Sequence, residues 1–296
     1  MKLNDINIRD PFILPLGGKY YLYGTRVRFT EEFPYGWGDQ RGFDVYESAD
    51  LINWDGPVSI FEAGGGFWGT SEFWAPEIHI YRDRFYMFAS FISEKTRRGT
   101  GILVSDDPRG PFEPVVNHSV TPADWDCLDG TLYIDRLGRP HIVFCHEWVQ
   151  IGTGTVCEAL LSDDLCRVVS EPRVLWSATD FKRDVSISDD SDAYITDGPF
   201  LFRDASGGLC CLWASFSEKG YCELVSRSDS GEIGGNWTVC QDPVTETDGG
   251  HGMLFTDFSG RIDFIMHRPN RAGSERPEIY SFTETHGRFS IAPLEN

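Results

Sequence analysis

The sequence lacks any run of about 18 apolar residues and any long segment with the 3.6-residue periodicity of a helix. These two absences disfavour a membrane-spanning helix and a helical fold. Basic residues are also few, since 26 Lys and Arg stand against 46 Asp and Glu and the net charge is −20. Phosphate binding requires clustered Lys and Arg, so we expect no nucleic-acid partner and no membrane partner.

The eight cysteines show no CxxC spacing, and several lie in apolar runs typical of strands. This pattern predicts buried free thiols rather than a disulfide framework. The segment from Met1 to Ile8 has no apolar core of a signal peptide, and we therefore expect a cytoplasmic protein unless a leader was removed. The sequence also has no phosphate-binding loop, no nucleophile elbow and no metal motif with protein-ligand spacing.

What fills the chain instead is a repeated pair of short, aromatic-rich strands separated by a turn. The first copy runs from Ile8 to Gly24 and contains Asp10 in its first strand. Five copies begin near residues 10, 75, 129, 197 and 251, at an average spacing of about 60 residues. Fixed-period repeats of short strands are typical of propellers. The sequence therefore predicts an all-β fold, one five-bladed β-propeller that occupies residues 1–296.

The repeat also predicts which residues share a face of the disc. In an antiparallel blade, the start of the innermost strand and the end of the second strand lie on the same side. We expect both sets to converge on one mouth of the central channel. The strand starts are Asp10, Ala75, Asp129, Asp197 and His251. The ends of the second strands include Arg26, Phe91, Glu147, Phe216 and Arg268.

Three carboxylates at one mouth suggest glycoside hydrolysis by Asp10, Asp129 and Asp197. An inverting reaction needs an acid that protonates the leaving oxygen and a base that activates water, about 6.5–9.5 Å apart. A third carboxylate raises the pKa of the acid by like-charge repulsion. The alternative is that each Asp before Gly or Pro only begins a turn. Their common place in three repeats favours the catalytic interpretation.

The sequence resembles glycoside hydrolase family 43, the five-bladed propeller enzymes that act on arabinosides and xylosides. The resemblance covers nearly the whole chain and rests on Arg9-Asp10-Pro11-Phe12, Trp74-Ala75-Pro76-Glu77-Ile78-His79, Asp129-Gly130-Thr131-Leu132, Thr196-Asp197-Gly198-Pro199 and Gly250-His251-Gly252. It implies that Asp10 is the general base and that Asp129 modulates the pKa of the acid. It also implies that His251 lines the channel, where relatives often hold a calcium or other cation through waters. We expect a Ca²⁺ or a water cluster in the central channel, and no cofactor is required.

One residue departs from the family pattern. The family's general acid is usually a glutamate in a Glu-Gly-Pro motif, whereas this chain has Asp197, which is one methylene shorter. Small displacements of a catalytic group lower rates by orders of magnitude. Three explanations stay open: Asp197 is the acid with an adjusted backbone, another glutamate has replaced it, or the protein is weakly active or inactive. Glu147, at the end of the second strand of blade three, is the candidate replacement.

Several further side chains are candidates for sugar binding. Arg26 and Arg268 either hydrogen-bond sugar hydroxyls or form ordinary inter-blade ion pairs, and Arg268 could also pair with Asp129. Aromatic rings stack on sugar faces, although most of the nine tryptophans should pack between blades. The aromatic candidates for stacking are Trp37, Phe73, Trp74 and Trp148.

These features predict an inverting, exo-acting glycosidase that removes a terminal pentose, α-L-arabinofuranose or β-D-xylose, from short neutral oligosaccharides. The segment from Arg26 to Gly42 would close the groove into a pocket. One alternative is an exo-galactosidase of the same superfamily that acts on galactan-type substrates. Another, suggested by Asp197, is a propeller that binds carbohydrate without cleaving it.

Overall fold

The computed structural model describes residues 1–27 and 41–294. Five four-stranded antiparallel sheets follow one another along the chain, each with its strands in sequence order. This is the predicted five-bladed propeller. Blade one contains β1 (Ile8–Leu16), β2 (Lys19–Arg26), β3 (Gly42–Ser48) and β4 (Asp55–Glu62). Blade two contains β5 (Ser71–Tyr81), β6 (Arg84–Ser93), β7 (Thr96–Ser105) and β8 (Glu113–Pro114).

The other three blades repeat the same order. Blade three contains β9 (Cys127–Ile134), β10 (Pro140–His146), β11 (Thr155–Leu160) and β12 (Arg173–Ser177). Blade four contains β13 (Asp197–Arg203), β14 (Leu209–Ser217), β15 (Gly220–Ser228) and β16 (Trp237–Val239). Blade five contains β17 (Gly250–Thr256), β18 (Ile262–Arg268), β19 (Arg276–Thr285) and β20 (Arg288–Pro293). The short helices are α1 (Trp148–Ile151) and two 3₁₀ turns, Leu3–Asp5 and Ala178–Asp180. Within the described ranges, no helix combines the length and apolar character needed to span a membrane.

The innermost strands close the ring. The innermost strand of each blade contacts that of the next blade, in the order β1, β5, β9, β13 and β17. The contact between β17 and β1 completes the ring. The apolar core lies between adjacent blades. Its aromatic residues are concentrated between blades one and two, where Phe43, Phe73 and Phe91 pack with ring centroids 5.0–6.0 Å apart. All eight cysteines are free thiols and six of them are buried, as the sequence predicted.

Tight turns set the register of the blades. β1 and β2 are joined by Gly17 and Gly18, whose φ angles are 60° and 79°. Two positive φ angles define a type I′ turn, whose twist matches that of the two strands it joins. This turn fixes the pairing register of β1 and β2. Asp10 lies near the other end of β1, at the channel mouth.

Candidate active site

Side chains from all five blades line one cavity of about 300 Å³ at the channel mouth. The three predicted aspartates, Asp10, Asp129 and Asp197, are among them. The cavity is also lined by Trp74, Glu147, Trp148 and His251.

A backbone irregularity near the start of every inner strand turns these side chains toward the cavity. In each blade the pairing with the second strand skips two residues of the inner strand, as between Arg9 and Phe12. The first skipped residue has a φ angle between 48° and 53° in all five blades. These residues are Asp10, Ala75, Asp129, Gly198 and His251. A left-handed backbone is unusual outside glycine.

The register corrects one detail of the predicted alignment. Asp197 pairs with Ala214, as Arg9 pairs with Thr25 and Leu128 with Cys145. Asp197 therefore lies one residue before the position that Asp10 and Asp129 occupy in their blades. The chain periodicity could not distinguish the two positions, because both precede an apolar strand. Asp197 consequently enters the cavity from a different backbone position.

Asp10 is held as a carboxylate. Thr25 Oγ1 donates a 2.5 Å hydrogen bond to Asp10 Oδ2, and His251 Nδ1 lies 3.2 Å from Asp10 Oδ1. Burial acts to raise the pKa of Asp10, but His251 and Arg9 hold that pKa below its usual value. The Asp10 backbone amide donates to His267 Nδ1 at 3.2 Å, and burial lowers the pKa of His267 to about 3. Asp10 is therefore ionised and fixed in orientation.

The pKa of Asp129 is shifted in the opposite direction. Burial and the charge of Asp10 raise its pKa well above the usual value. The Gly198 amide donates a 3.0 Å hydrogen bond to Asp129 Oδ2, and the Asp129 amide donates to Ser90 Oγ at 2.8 Å. His251 Nδ1 lies 3.7 Å from Asp129 Oδ2, so one imidazole faces both carboxyl groups.

Asp197 is partly exposed to the cavity and accepts one strong hydrogen bond. Tyr221 donates its hydroxyl to Asp197 Oδ2 at 2.8 Å. Desolvation by the surrounding protein and the charge of Asp129 raise the pKa of Asp197 to about 7. A carboxyl group with this pKa carries a proton at slightly acidic pH and is about half protonated near pH 7.

Glu147 is a second carboxyl group with a raised pKa in the same cavity. It follows β10 directly and precedes α1. Burial raises its pKa to about 7, although the Arg98 guanidinium acts in the opposite direction. Arg98 forms ion pairs with both Glu147 and Glu72, and its guanidinium lies 4.6 Å from the centroid of the Trp74 ring. Glu147 is therefore tied to a cation, whereas Asp197 accepts a hydrogen bond from a neutral phenol.

The aromatic candidates divide into three groups. Trp74 and Trp148 are half-buried in the cavity lining, where a sugar face could reach them. The prediction for Phe73 is wrong, because this ring is fully buried and packs against Phe91 at 5.0 Å. Trp37 and most of the insert between Arg26 and Gly42 lie outside the described residues.

The structure places both predicted arginines outside the cavity. Arg26 pairs with Asp44 and Glu62, each at 2.6 Å and both within blade one. Arg268 pairs with Glu278 at 2.8 Å within blade five, and not with Asp129. All three ion pairs therefore join strands within one blade rather than two blades.

Three cavity-facing or adjacent groups were not identified from the sequence. Arg9 lines the cavity and contacts Glu275 at 3.2 Å. Arg98 and Tyr221 each lie near the start of a third strand, β7 and β15. The third strand begins where the second ends, at the channel mouth. Extending the face argument to third-strand starts would have found both residues.

The space beside His251, where the implied cation would lie, is small. Further along the inner strands, a cavity of about 10 Å³ is lined by Asp10, Glu77 and His251 among others. That volume holds roughly one water, whereas Ca²⁺ takes six to eight oxygen ligands. Among the described residues, no group of three or more His, Cys, Asp or Glu is arranged to hold a metal. The described residues therefore do not form a cage of protein ligands for a metal, and the cation or water cluster expected beside His251 stays a prediction.

The arrangement separates two carboxyl groups by their protonation state. Asp10 is ionised and can accept a proton, while Asp197 is protonated near neutral pH and can donate one. Two carboxyl groups whose pKa values are driven apart by their surroundings are typical of glycosidase acid–base pairs. A propeller with such a pair in its axial cavity belongs to the class of propeller glycosidases. The chain is a member of glycosyl hydrolases family 43, since the sequence profile of that family matches residues 5–286.

Individual relatives agree with this family. Over 154 residues the chain is 27% identical to extracellular endo-alpha-(1->5)-L-arabinanase 1 of Bacillus subtilis, with 49% of this chain and 45% of the relative covered. Over 143 residues it is 27% identical to xylosidase/arabinosidase 43A of Humicola insolens, with 45% of this chain and 44% of the relative covered. Each match thus spans less than half of the curated relative.

A solved structure matches over the whole length. The crystal structure of an endo-arabinase from Bacteroides thetaiotaomicron has a TM-score of 0.89 and 35% sequence identity to this chain. The match covers 98% of this chain and 99% of that one. Family and fold therefore agree from one end of the propeller to the other.

Proposed function

We propose that the protein is an inverting glycosidase that hydrolyses α-L-arabinofuranosidic bonds in neutral oligosaccharides. The observation that carries this proposal is the pairing of an ionised Asp10 with a protonated Asp197 in one cavity. Asp129 lies beside both, since it shares His251 with Asp10 and binds the amide that follows Asp197.

The proposed reaction is a single displacement. Asp10 accepts a proton from a water molecule, which attacks the anomeric carbon as the glycosidic bond breaks. Asp197 donates its proton to the departing oxygen. Asp129 and Asp197 repel each other when both are ionised, so the pair retains a proton before the reaction and Asp197 can present it to the leaving oxygen. Solvent then restores the two protonation states, and the product has the inverted anomeric configuration.

The substrate class is supported by the cavity and by the relatives. Trp74 and Trp148 offer ring faces on which a sugar can stack. The two curated relatives are named for arabinan and for xylosides or arabinosides. A β-D-xyloside is therefore the other pentoside to test.

The position of cleavage has two candidates. A cavity of about 300 Å³ is at the small end of ligand sites, which favours removal of one terminal pentose. Internal cleavage is favoured by the Bacteroides thetaiotaomicron structure, which is described as an endo-arabinase. Early products from a linear α-1,5-arabino-oligosaccharide separate the two, since exo action releases arabinose and a chain shortened by one unit, whereas endo action releases fragments of intermediate length.

One experiment tests the proposal as a whole. The protein is assayed on nitrophenyl α-L-arabinofuranoside, β-D-xyloside and β-D-galactoside, and proton NMR follows the anomer first released from the best substrate. We expect turnover of the arabinoside with inversion. Preference for the galactoside would support a galactan-type enzyme instead. Binding of arabino-oligosaccharides by calorimetry, without cleavage of the nitrophenyl glycosides or of the arabino-oligosaccharides themselves, would support a non-catalytic carbohydrate-binding propeller.

A further inference from the structure

The hydroxyl of Tyr221 donates to the shorter of the two candidate acids. It lies 2.8 Å from Asp197 Oδ2, within the range of a good hydrogen bond. Tyr221 is buried in β15, the third strand of blade four, whereas Asp197 begins the first strand of the same blade. The third strand thus reaches back to the inner strand at the channel mouth.

The Tyr221 ring is fixed by its neighbours. It stacks on His267 with ring centroids 5.7 Å apart and an angle of 25°, and it contacts Phe216 at 5.1 Å. Gly250 lies against the ring so closely that a Cβ there would come 2.9 Å from Tyr221 Cε1. Any side chain at residue 250 would displace the ring. Burial raises the pKa of Tyr221 well above its usual value, so the phenol stays protonated and can only donate to a carboxylate.

We propose that Tyr221 is a positioning residue for the general acid: its hydroxyl fixes Asp197 Oδ2, so that Oδ1 presents the proton to the glycosidic oxygen. This inference rests on the proposed function, with Asp197 as the acid. An aspartate has one rotatable bond fewer than a glutamate, and its carboxyl group starts further from the substrate. A hydrogen bond from a rigid ring holds that carboxyl group in one orientation, which matters because small displacements of a catalytic group are costly.

The same hydrogen bond sets a measurable direction for the pKa of Asp197. A donor to a carboxylate stabilises the ionised form and lowers the pKa. Other groups facing Asp197 remain when the hydroxyl is removed. The ionisable groups that interact electrostatically with Asp197 are Arg9, Asp129, Cys145, Glu147, Glu223 and His251. Loss of the Tyr221 hydroxyl alone should therefore raise the pKa of Asp197.

The test is Tyr221→Phe, with Tyr23→Phe as the matched control. Tyr23 is also fully buried, but its hydroxyl donates to the Pro108 carbonyl at 2.8 Å, away from the cavity. For Tyr221→Phe we expect the upper limb of the pH profile of kcat/KM to move up by about 1 pH unit. We also expect kcat on an arabinobiose to fall roughly tenfold to a hundredfold, with a smaller loss on the nitrophenyl substrate. Tyr23→Phe should change neither the limb nor this ratio.

A second substitution guards against a folding defect in the phenylalanine variant. Replacing Tyr221 with 3-fluorotyrosine keeps the ring and makes the hydroxyl a stronger donor. The upper limb should then move down instead of up. An unchanged limb in both proteins, or shifts of the same sign, would overturn the proposal.

The positioning role can be tested apart from the proposed function. Carboxyl carbon-13 labelling of aspartate, with Asp197 assigned by its loss in Asp197→Asn, gives the titration of Asp197 without substrate. We expect a higher pKa in Tyr221→Phe than in the wild type, whether or not any glycoside is cleaved. No turnover combined with this shift would reject the proposed function alone. Normal turnover without the shift would reject the role of Tyr221 alone.

Discussion

The backbone amide of Gly198 donates a 3.0 Å hydrogen bond to the carboxyl group of Asp129. This bond joins blade four to blade three next to the candidate acid, because Gly198 directly follows Asp197. The distance between the acid and the carboxyl group that modulates it is thus set by backbone geometry. One substitution can alter the charge of Asp129, and another can alter the position of Gly198.

Substitution Asp129→Asn changes the charge and keeps the shape. The amide oxygen can still accept the Gly198 hydrogen bond, so we expect normal folding. Asp129 raises the pKa of Asp197, so its loss should lower that pKa and move the upper limb of the kcat/KM profile to lower pH. The shift is opposite in sign to that expected for Tyr221→Phe. It is measured from pH 4 to pH 9 on the nitrophenyl substrate.

A buried aspartate elsewhere in blade three provides the control. Asp135 lies in the turn after β9 and binds Arg139. Asp135→Asn should leave the upper limb in place even if stability falls. An upper limb that stays in place in Asp129→Asn would show that Asp129 does not modulate the acid.

Substitution Gly198→Ala changes the position. Gly198 has a φ of 52°, and a Cβ there would lie 2.6 Å from His251 Cδ2. We expect a loss of about 1–2 kcal/mol in unfolding free energy from the left-handed backbone. A further loss of about 1–3 kcal/mol should come from the clash. Urea unfolding measures both together.

Gly207→Ala separates these two contributions. Gly207 has a φ of 83°, and no atom lies within 4 Å of a Cβ built on it. In this control, only the left-handed backbone lowers the free energy of unfolding. Equal losses of unfolding free energy in the two variants would contradict the close packing of His251 on Gly198.

Substitution Asp10→Asn removes the proposed base. Asparagine tolerates the left-handed backbone that Asp10 adopts at a φ of 51°, so the fold should be kept. An amide cannot take a proton from the attacking water, and we expect kcat to fall by roughly 10²–10⁴. Turnover on the arabinoside and circular dichroism are measured together. Asp83→Asn is the control, since Asp83 is exposed and also has a positive φ of 61°. A rate near that of the wild type would remove Asp10 from the role of base.

The fold could be predicted from the sequence because each blade repeats the same local signals. Alternating apolar strands and Gly or Asp turns recur five times, and closure of the ring follows from that repetition. Local patterns also identified Asp10 and Asp129, which occupy equivalent positions. The same reasoning aligned Asp197 with Asp10 and Asp129, whereas Gly198 occupies the equivalent position in blade four. A bulge changes the register of a strand without changing its apolar pattern.

Other features depend on contacts between distant strands. Arg98 reaches Glu147 across 49 residues of sequence, and Tyr221 reaches Asp197 across 24. Neither pair has a spacing signal, since each depends on how a third strand returns to the mouth. The ion pairs of Arg26 and Arg268 depend in the same way on the partner strands within a blade.

The choice between the two candidate acids gives the last prediction. Burial raises the pKa of Asp197 and of Glu147 to about 7, so protonation alone does not distinguish them. Their partners do, because Glu147 forms an ion pair with Arg98, whereas Asp197 accepts a hydrogen bond from the neutral hydroxyl of Tyr221. We therefore expect Asp197 to be the acid. The test compares Asp197→Ala with Glu147→Ala on a nitrophenyl arabinoside and on an arabinobiose.

Loss of the acid should reduce cleavage of the disaccharide far more than cleavage of the activated substrate, because nitrophenolate departs without a proton. We expect this asymmetry, roughly 10² or more, in Asp197→Ala. Glu147→Ala should instead slow both substrates by a similar factor, since it leaves Arg98 without one carboxylate partner at the cavity wall. Glu72→Ala is the matched control, because it removes the other carboxylate of Arg98. Asymmetry in Glu147→Ala but not in Asp197→Ala would transfer the acid role to Glu147.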